Sequence, residues 1–270
     1  MANLLITGLP RSGSAVVGAL VDYLPDSVCL NAPLWQTAFA KNPVEILPFC
    51  KWLAGDALWA RGQLLRGIPL PDFRAEDGAP LLDGLRDARQ PKNEDGSPKE
   101  IYFTRGKLTH GFTLAMRQTT LYTSILPVLL DFTDFRTIAV LRHPLAVCQA
   151  WQQLPQPLLA QGNPPGIARF WPEALAAMQA PGDDADRFAL LYELYVQRYH
   201  ELAPRVQVMR YEDVAEDTMM LSRLLGHIVA SPAVRWLRPA APLTRNAFTD
   251  AVAARLRRDG VFTKLYYNEF

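Results

Sequence analysis

The residues with the most chemistry in them come early. Gly8-Leu9-Pro10-Arg11-Ser12-Gly13-Ser14-Ala15 matches the G-x-x-x-x-G spacing of a phosphate-binding turn. The match then stops, because Ser14 stands where such a turn carries its lysine, and Ala15 where it carries the hydroxyl that binds magnesium. A γ-phosphate with its metal has no evident holder here. The rest of the cradle is intact. Amides of a glycine turn at a helix N-terminus point at an anion, the helix dipole favours negative charge there, and Arg11 adds a permanently charged planar fork. The plainer reading is that Gly8 and Gly13 only shape a strand-to-helix turn beside a surface arginine. The position of the turn, directly after the first apolar run, favours a ligand, since open α/β sheets bind outside the carboxyl ends of their strands.

A second cation, Arg142, stands at the carboxyl end of the continuous apolar run Ile138 to Leu141. Glu212 and Asp213 invite a reading as paired acid and base, but adjacent residues after a strand point apart. Trp35, Trp52, Trp59 and Phe49 are candidates to line a pocket, although aromatic residues at helical spacing are more often core.

The elements that must position these groups follow from periodicity. Residues 3–7 read as a strand, Ser14 to Leu24 as a helix and Ser27 to Leu30 as a second strand, the opening of an α/β fold with a parallel sheet. Residues 43–67 read as a helix. From Pro69 to Glu100 prolines alternate with polar turn formers, and 88–100 reads as a mobile surface loop, with a lid as the alternative. Residues 101–117 suggest two strand-like pieces around a turn that contains His110, followed by a helix over "LYTSILPVLLD". "FRTIAVLRHP" is a buried strand, "LAVCQAWQQL" a helix and "QPLLAQGNPPG" a long loop. Helices are predicted at 167–179 and 185–202, a strand over "RVQVMRYEDV", and a helix from Asp217 to Ile228 with Asp217 as N-cap. No internal repeat is visible.

A chain of 270 residues, 49% hydrophobic, buries a substantial core and is expected to form one domain over 1–270. Its net charge of +1 gives no electrostatic reason to propose nucleic acid or membrane as a partner, so any anion site is local. Cys29, Cys50 and Cys148, odd in number and without a CxxC spacing, argue against a disulfide framework and a structural zinc, and read as buried thiols. No leader or membrane-spanning run is evident, and the chain is expected to be soluble and cytoplasmic.

"TGLPRSGSAVVGAL" resembles the 5′-phosphosulfate loop of the sulfotransferases that use 3′-phosphoadenosine 5′-phosphosulfate (PAPS), in the arginine-bearing form of bacterial and Golgi members. "IAVLRHPLAVCQAW" resembles the second element of that family, and "RYHELAPRVQVMRYEDV" its helix, strand and Tyr-Glu-Asp step. The resemblance covers roughly half the chain, in order. It implies an α/β three-layer sandwich with a central, mostly parallel sheet of the P-loop-like kind. It implies PAPS as donor, adenosine 3′,5′-bisphosphate (PAP) as product, no metal, and a small-molecule or natural-product hydroxyl as acceptor; a homodimer is compatible with it. Pro10, Arg11, Ser12, Gly13, Ser14 and Ala15 would cradle the 5′-phosphosulfate, Arg11 also acting in catalysis. Arg142 would hold the 3′-phosphate, Tyr211 lie near the adenine, and Arg117 stabilise the leaving oxygen in place of the family's lysine.

The chain also departs from the pattern. Ala150 stands where the family usually has a serine that supports the 3′-phosphate, and Arg245, Arg257 and Arg258 are candidates to compensate, with a solvated helix face as the alternative. The two usual positions of the general base hold Ala32, in Asn31-Ala32-Pro33, and Thr119. His110, Glu45 and His143 are the substitutes the sequence offers. The rival readings are an atypical P-loop kinase, and a nucleotide- or partner-binding protein that keeps the fold without the chemistry.

Overall fold

The computed structural model describes residues 3–42, 44–83, 87–154, 158–161, 164–217, 219–228, 231 and 243–270. In chain order the elements begin β1 (Asn3–Gly8), α1 (Ser14–Asp22), β2 (Ser27–Asn31), α2 (Leu34–Lys41), α3 (Ile46–Leu65), β3 (Leu70–Asp72) and β4 (Ile101–Phe103). Next come β5 (Thr113–Arg117), α4 (Thr120–Phe132), β6 (Arg136–Leu141), α5 (Pro144–Gln152), α6 (Pro165–Phe170), α7 (Pro172–Gln179) and α8 (Asp184–Glu201). The last are β7 (Val206–Arg210), α9 (Tyr211–Glu216), α10 (Met220–Leu224) and α11 (Ala247–Asp259).

Five strands form one sheet in the order β2-β5-β1-β6-β7, with every neighbouring pair parallel. From β1 the chain first builds outward on one side, through β2 and β5, and then on the other, through β6 and β7. The carboxyl ends of β1 and β6 therefore flank a topological switch point, where an open sheet leaves a crevice. Because both faces are covered, the strands are apolar on both sides. Leu4, Ile6, Cys29, Ala115, Ile138 and Val140 face α1, α9 and α10, while Leu5, Val28, Leu30, Leu114 and Met116 face α3 and α4. Ala139 and Leu141 meet α5, α8 and α11. The result is the expected α/β three-layer sandwich. Among the described residues no helix is long and apolar enough to cross a membrane.

Several expectations are corrected at the level of elements. Residues 101–117 do not form a hairpin: β4 pairs antiparallel with β3 outside the main sheet, and β5 lies in its interior. The predicted helix over 167–179 is two helices broken at Trp171 (φ −144, ψ 73), because Pro172 disfavours helical backbone in the residue before it. Helix α2 is not among the elements that the periodicity predicts. Of the helix predicted from Asp217 to Ile228, the described residues form only the short α10; its N-cap is Met219, whose amide donates to Asp217 Oδ1 at 3.1 Å. Residues 88–100 carry a β-bridge between Lys92 and Pro98. Of the long loop after α5, residues 155–157 and 162–163 lie outside the described residues.

The edge of β2 is closed by side chains rather than by a further strand. Asn31 N–H donates to Asp72 Oδ1 at 2.6 Å and Cys29 N–H to Asp22 Oδ1 at 2.8 Å, while Arg74 donates to Cys29 O at 2.6 Å. Arg74 also bonds both carboxylates, and Arg105 bonds the carbonyls of Asp22 and Ser27. The β3–β4 pair is thereby tied to the sheet, and the edge cannot template another chain. The three thiols are buried, and burial pushes those of Cys50 and Cys148 up to about 12 and that of Cys29 further the same way.

Candidate functional site

The turn after β1 crosses the end of β6 closely. A Cβ at Gly8 would lie 2.5 Å from Val140 O, so only glycine lets the two backbones approach this far. Arg11 has φ 75, an uncommon conformation for a side-chain-bearing residue, and Ser12 N–H closes the turn on Leu9 O at 3.0 Å. Trp151 Nε1–H holds Pro10 O at 2.8 Å, fixing the turn from α5. Gly13, in the left-handed conformation (φ 93, ψ 8), is the N-cap of α1, with no side chain capping the helix and no acidic residue in its first turn. The first-turn amides are thus left to whatever anion enters.

Gly13 also presses on Tyr211. A Cβ there would meet Tyr211 Cδ2 at 2.4 Å, and its positive φ strains any side chain. Gly13→Ala is expected to lose about 1–3 kcal/mol of stability by overpacking, read from urea unfolding; a variant as stable as the parent would show that the ring does not seat there.

Arg11 Nε, Ser12 Oγ and Arg142 Nε, at the ends of β1 and β6, are buried without hydrogen-bond partners; so are Asn31 Nδ2 and Arg210 Nε at the ends of the two edge strands, and Gln90 Oε1 and the Tyr195 hydroxyl elsewhere. A buried donor left unpaired costs about 1–3 kcal/mol, so the three at the β1–β6 switch point, on Arg11, Ser12 and Arg142, point to a polar ligand there. The remainder of Arg11 is engaged. NH1 and NH2 meet the two oxygens of Asp83 at 2.5 and 3.3 Å, across 72 residues of sequence. Arg142 reaches Arg11 O from NH1 at 3.4 Å and lies 5.3 Å from the Tyr211 ring centroid. Its carbonyl accepts from the buried Tyr192 hydroxyl at 2.7 Å. Among the described residues no carboxylate pairs with Arg142.

Pro10, Arg11, Ser12, Gly13, Ser14, Ala15, Arg142 and Tyr211 therefore stand together. Arg117 ends β5 beside β1, in register with Ile6, but its side chain is buried under α1, with Nε on Asn31 Oδ1 at 3.1 Å and Cδ near Gly18. Burial lowers its affinity for the proton. Among the described residues no hydrogen bond joins Arg117 to the 8–13 turn.

The base candidates fare differently. His110 precedes β5, beside Thr109, whose amide is bonded by Asp26 ahead of β2, so it sits at the amino edge of the sheet. A five-residue strand separates it from the crevice, roughly 15 Å at about 3.3 Å per residue; His110 is corrected to a surface turn. Glu45 is exposed at the N-cap of α3, makes no capping bond, and lines a surface pocket with Arg169 and Pro172. His143 caps α5, with Nδ1 accepting from Leu145 N–H at 3.3 Å and Nε2 on Glu269 O at 2.9 Å. Glu212 is spent on His143 N–H and the Tyr267 hydroxyl, and Asp213 on Arg210.

Ala150 is buried within α5. Residues 244–246 lie along that helix, Thr244 O accepting from Gln149 and Asn246 donating to Gln152, which brings Arg245 near Ala150, although Arg245 is paired with Asp250 at 2.5 Å. Arg257 donates to Phe270 O and Arg258 pairs with Asp259. Of the aromatic candidates, Phe49 is core, Trp52 stacks on Phe39 with centroids 4.0 Å apart, and Trp35 donates to Asp56. Asp83, which bonds Arg11, carries no sequence signal, since it lies in no motif; Asn31, which bonds Arg117, belongs to the Asn31-Ala32-Pro33 stretch.

No family model matches the chain, and no curated protein matches it. Among solved structures it is similar to the sulfotransferase domain from the curacin biosynthetic pathway, with 14% identity and a TM-score of 0.45 over 93% of this chain and 82% of that one. It is also similar to sulfotransferase STF9 from Mycobacterium avium, with 17% identity and a TM-score of 0.37 over 96% and 68%.

Proposed function

We propose that the chain transfers a sulfuryl group from PAPS to a hydroxyl of a small molecule. The observation that carries this reading is the buried, unpaired Arg11 Nε, Ser12 Oγ and Arg142 Nε around the β1–α1 turn, with no carboxylate paired to Arg142 among the described residues and no lysine at position 14. A phosphosulfate carries less charge than a triphosphate, and amides with guanidinium donors suit it. The 10–15 turn would hold the 5′-phosphosulfate through the first-turn amides of α1, Ser12 Oγ and Arg11 Nε. Arg142 and Tyr211 would hold the 3′-phosphate and the base. When bound, the donor supplies an activated sulfuryl group; the chain orients it and offsets charge on the departing oxygen by preorganised donors. Arg117, buried beside Asn31, acts in this reading as a fixed positive charge under the turn.

Calorimetry separates this reading from the kinase alternative. PAP is expected to bind without metal in the micromolar range, about −8 kcal/mol, and magnesium-ATP at least tenfold more weakly. Binding of magnesium-ATP with no binding of PAP would overturn it.

A further inference from the structure

We propose that Asp83 is the general base that takes the acceptor's proton, an inference that rests on the sulfuryl-transfer reading above. A base must come within hydrogen-bond reach of the attacking hydroxyl, hence close to the group that grips the sulfuryl oxygens. Ala32 and Thr119 cannot serve, and the substitutes offered by sequence are poorly placed: His110 lies at the opposite edge, Glu45 makes no hydrogen bond or ion pair with the 8–13 turn among the described residues, and both ring nitrogens of His143 are engaged. Glu100 is a further carboxylate at this end of the sheet; it accepts from Leu34 N–H at the start of α2, and among the described residues no hydrogen bond or ion pair joins it to Arg11 or the 8–13 turn.

Asp83 is the carboxylate that the structure holds against the 8–13 turn, through Arg11. Its two oxygens contact the NH1 and NH2 end of Arg11, while Nε–H, on the other edge of the same plane, is buried and unpaired beside the unpaired Ser12 Oγ. A guanidinium has five N–H groups in a rigid fork, so Arg11 can hold a donor oxygen through Nε and keep Asp83 at its end. The carboxylate is then one guanidinium away from the sulfuryl group. At 52% exposed, it is open to an acceptor arriving from solvent. In the step, the acceptor oxygen forms a bond to sulfur as the bond between sulfur and the 5′-phosphate oxygen breaks. The hydroxyl proton passes to Asp83, and the electron pair leaves on the bisphosphate.

The test uses the full chain and needs no knowledge of the acceptor. Sulfate release from labelled PAPS, with water as acceptor, is measured alongside PAP affinity by calorimetry for the parent, Asp83→Asn and Asp83→Glu. Asp83→Asn is expected to slow release about a hundredfold with PAP affinity changed less than threefold, and Asp83→Glu to restore part of the rate. An unchanged rate in Asp83→Asn overturns the assignment. So does PAP binding that tightens tenfold or more with the rate retained, because Asp83 would then be only an internal anion occupying the Arg11 fork. A parent chain that binds no PAP removes the underlying reading as well, and the calorimetry alone distinguishes that failure.

Discussion

Replacing Arg74 by methionine is expected to lower the unfolding free energy by about 3–5 kcal/mol, the usual effect of removing one partner of a buried ion cluster. Arg74 is fully buried between Asp22 and Asp72, both also fully buried. It donates to Asp22 at 2.9 and 3.0 Å and to Asp72 at 2.7 Å, to the carbonyls of Cys29 and Gly78, and packs 3.6 Å from the Phe103 ring centroid. Methionine keeps much of the stem volume and removes the charge, leaving two carboxylates without their cation and the β3–β4 pair without its tie to β2. Burial pulls the Arg74 guanidinium toward neutrality, but Asp22 and Asp72 outweigh it, so it stays charged.

The same cluster sets a pH dependence. Burial pushes the Asp72 carboxyl up to about 7, against the pull of Arg74 and the Asn31 amide. A carboxyl raised in the folded state above its unfolded value of about 3.9 contributes most below that value, and the contribution is lost as pH rises toward 7. Without Arg74 only the Asn31 amide offsets that loss, so the deficit of the variant should be smaller at pH 5 than at pH 7. Urea unfolding of parent and variant at both values checks this. A loss below about 1 kcal/mol at pH 7, in the range of exposed pairs, would mean that the cluster does not form.

Arg142→Ala is expected to weaken PAP binding about 10- to 150-fold, the equivalent of one charge-assisted hydrogen bond of about 1.5–3 kcal/mol. Adenosine 5′-phosphate should lose less than threefold. The expectation follows from a cation at the carboxyl end of β6 that has no carboxylate partner among the described residues, a buried Nε without an acceptor, and a seat against Tyr211. Arg245, by contrast, is already paired with Asp250. Parallel calorimetric titrations of both nucleotides give the comparison; equal losses would place Arg142 away from the 3′-phosphate. Folding should be nearly unaffected, since Arg142 is only half-buried and its carbonyl, which receives Tyr192, survives the substitution.

The strand, glycine turn and helix at residues 3–22 could be read directly from the sequence, because each is fixed by neighbours a few residues away. The apolar alternation, the left-handed backbone at Gly13 and the orphan amides of the first helical turn are all local. The same holds for β6 with Arg142 at its end, and for the α/β class that follows from their order. What required the tertiary structure is whatever spans long separations. Whether residues 101–103 pair with 113–117 or with 70–72 is a choice among apolar edges of similar propensity, decided by the buried Asp22–Arg74–Asp72 cluster. His110 shares its segment with Arg117, yet the parallel order of the sheet puts them at opposite edges. Asp83 sits in a stretch without periodicity or motif. Only folding, by carrying it across 72 residues to the Arg11 fork, gives that ordinary surface aspartate a candidate place in the chemistry.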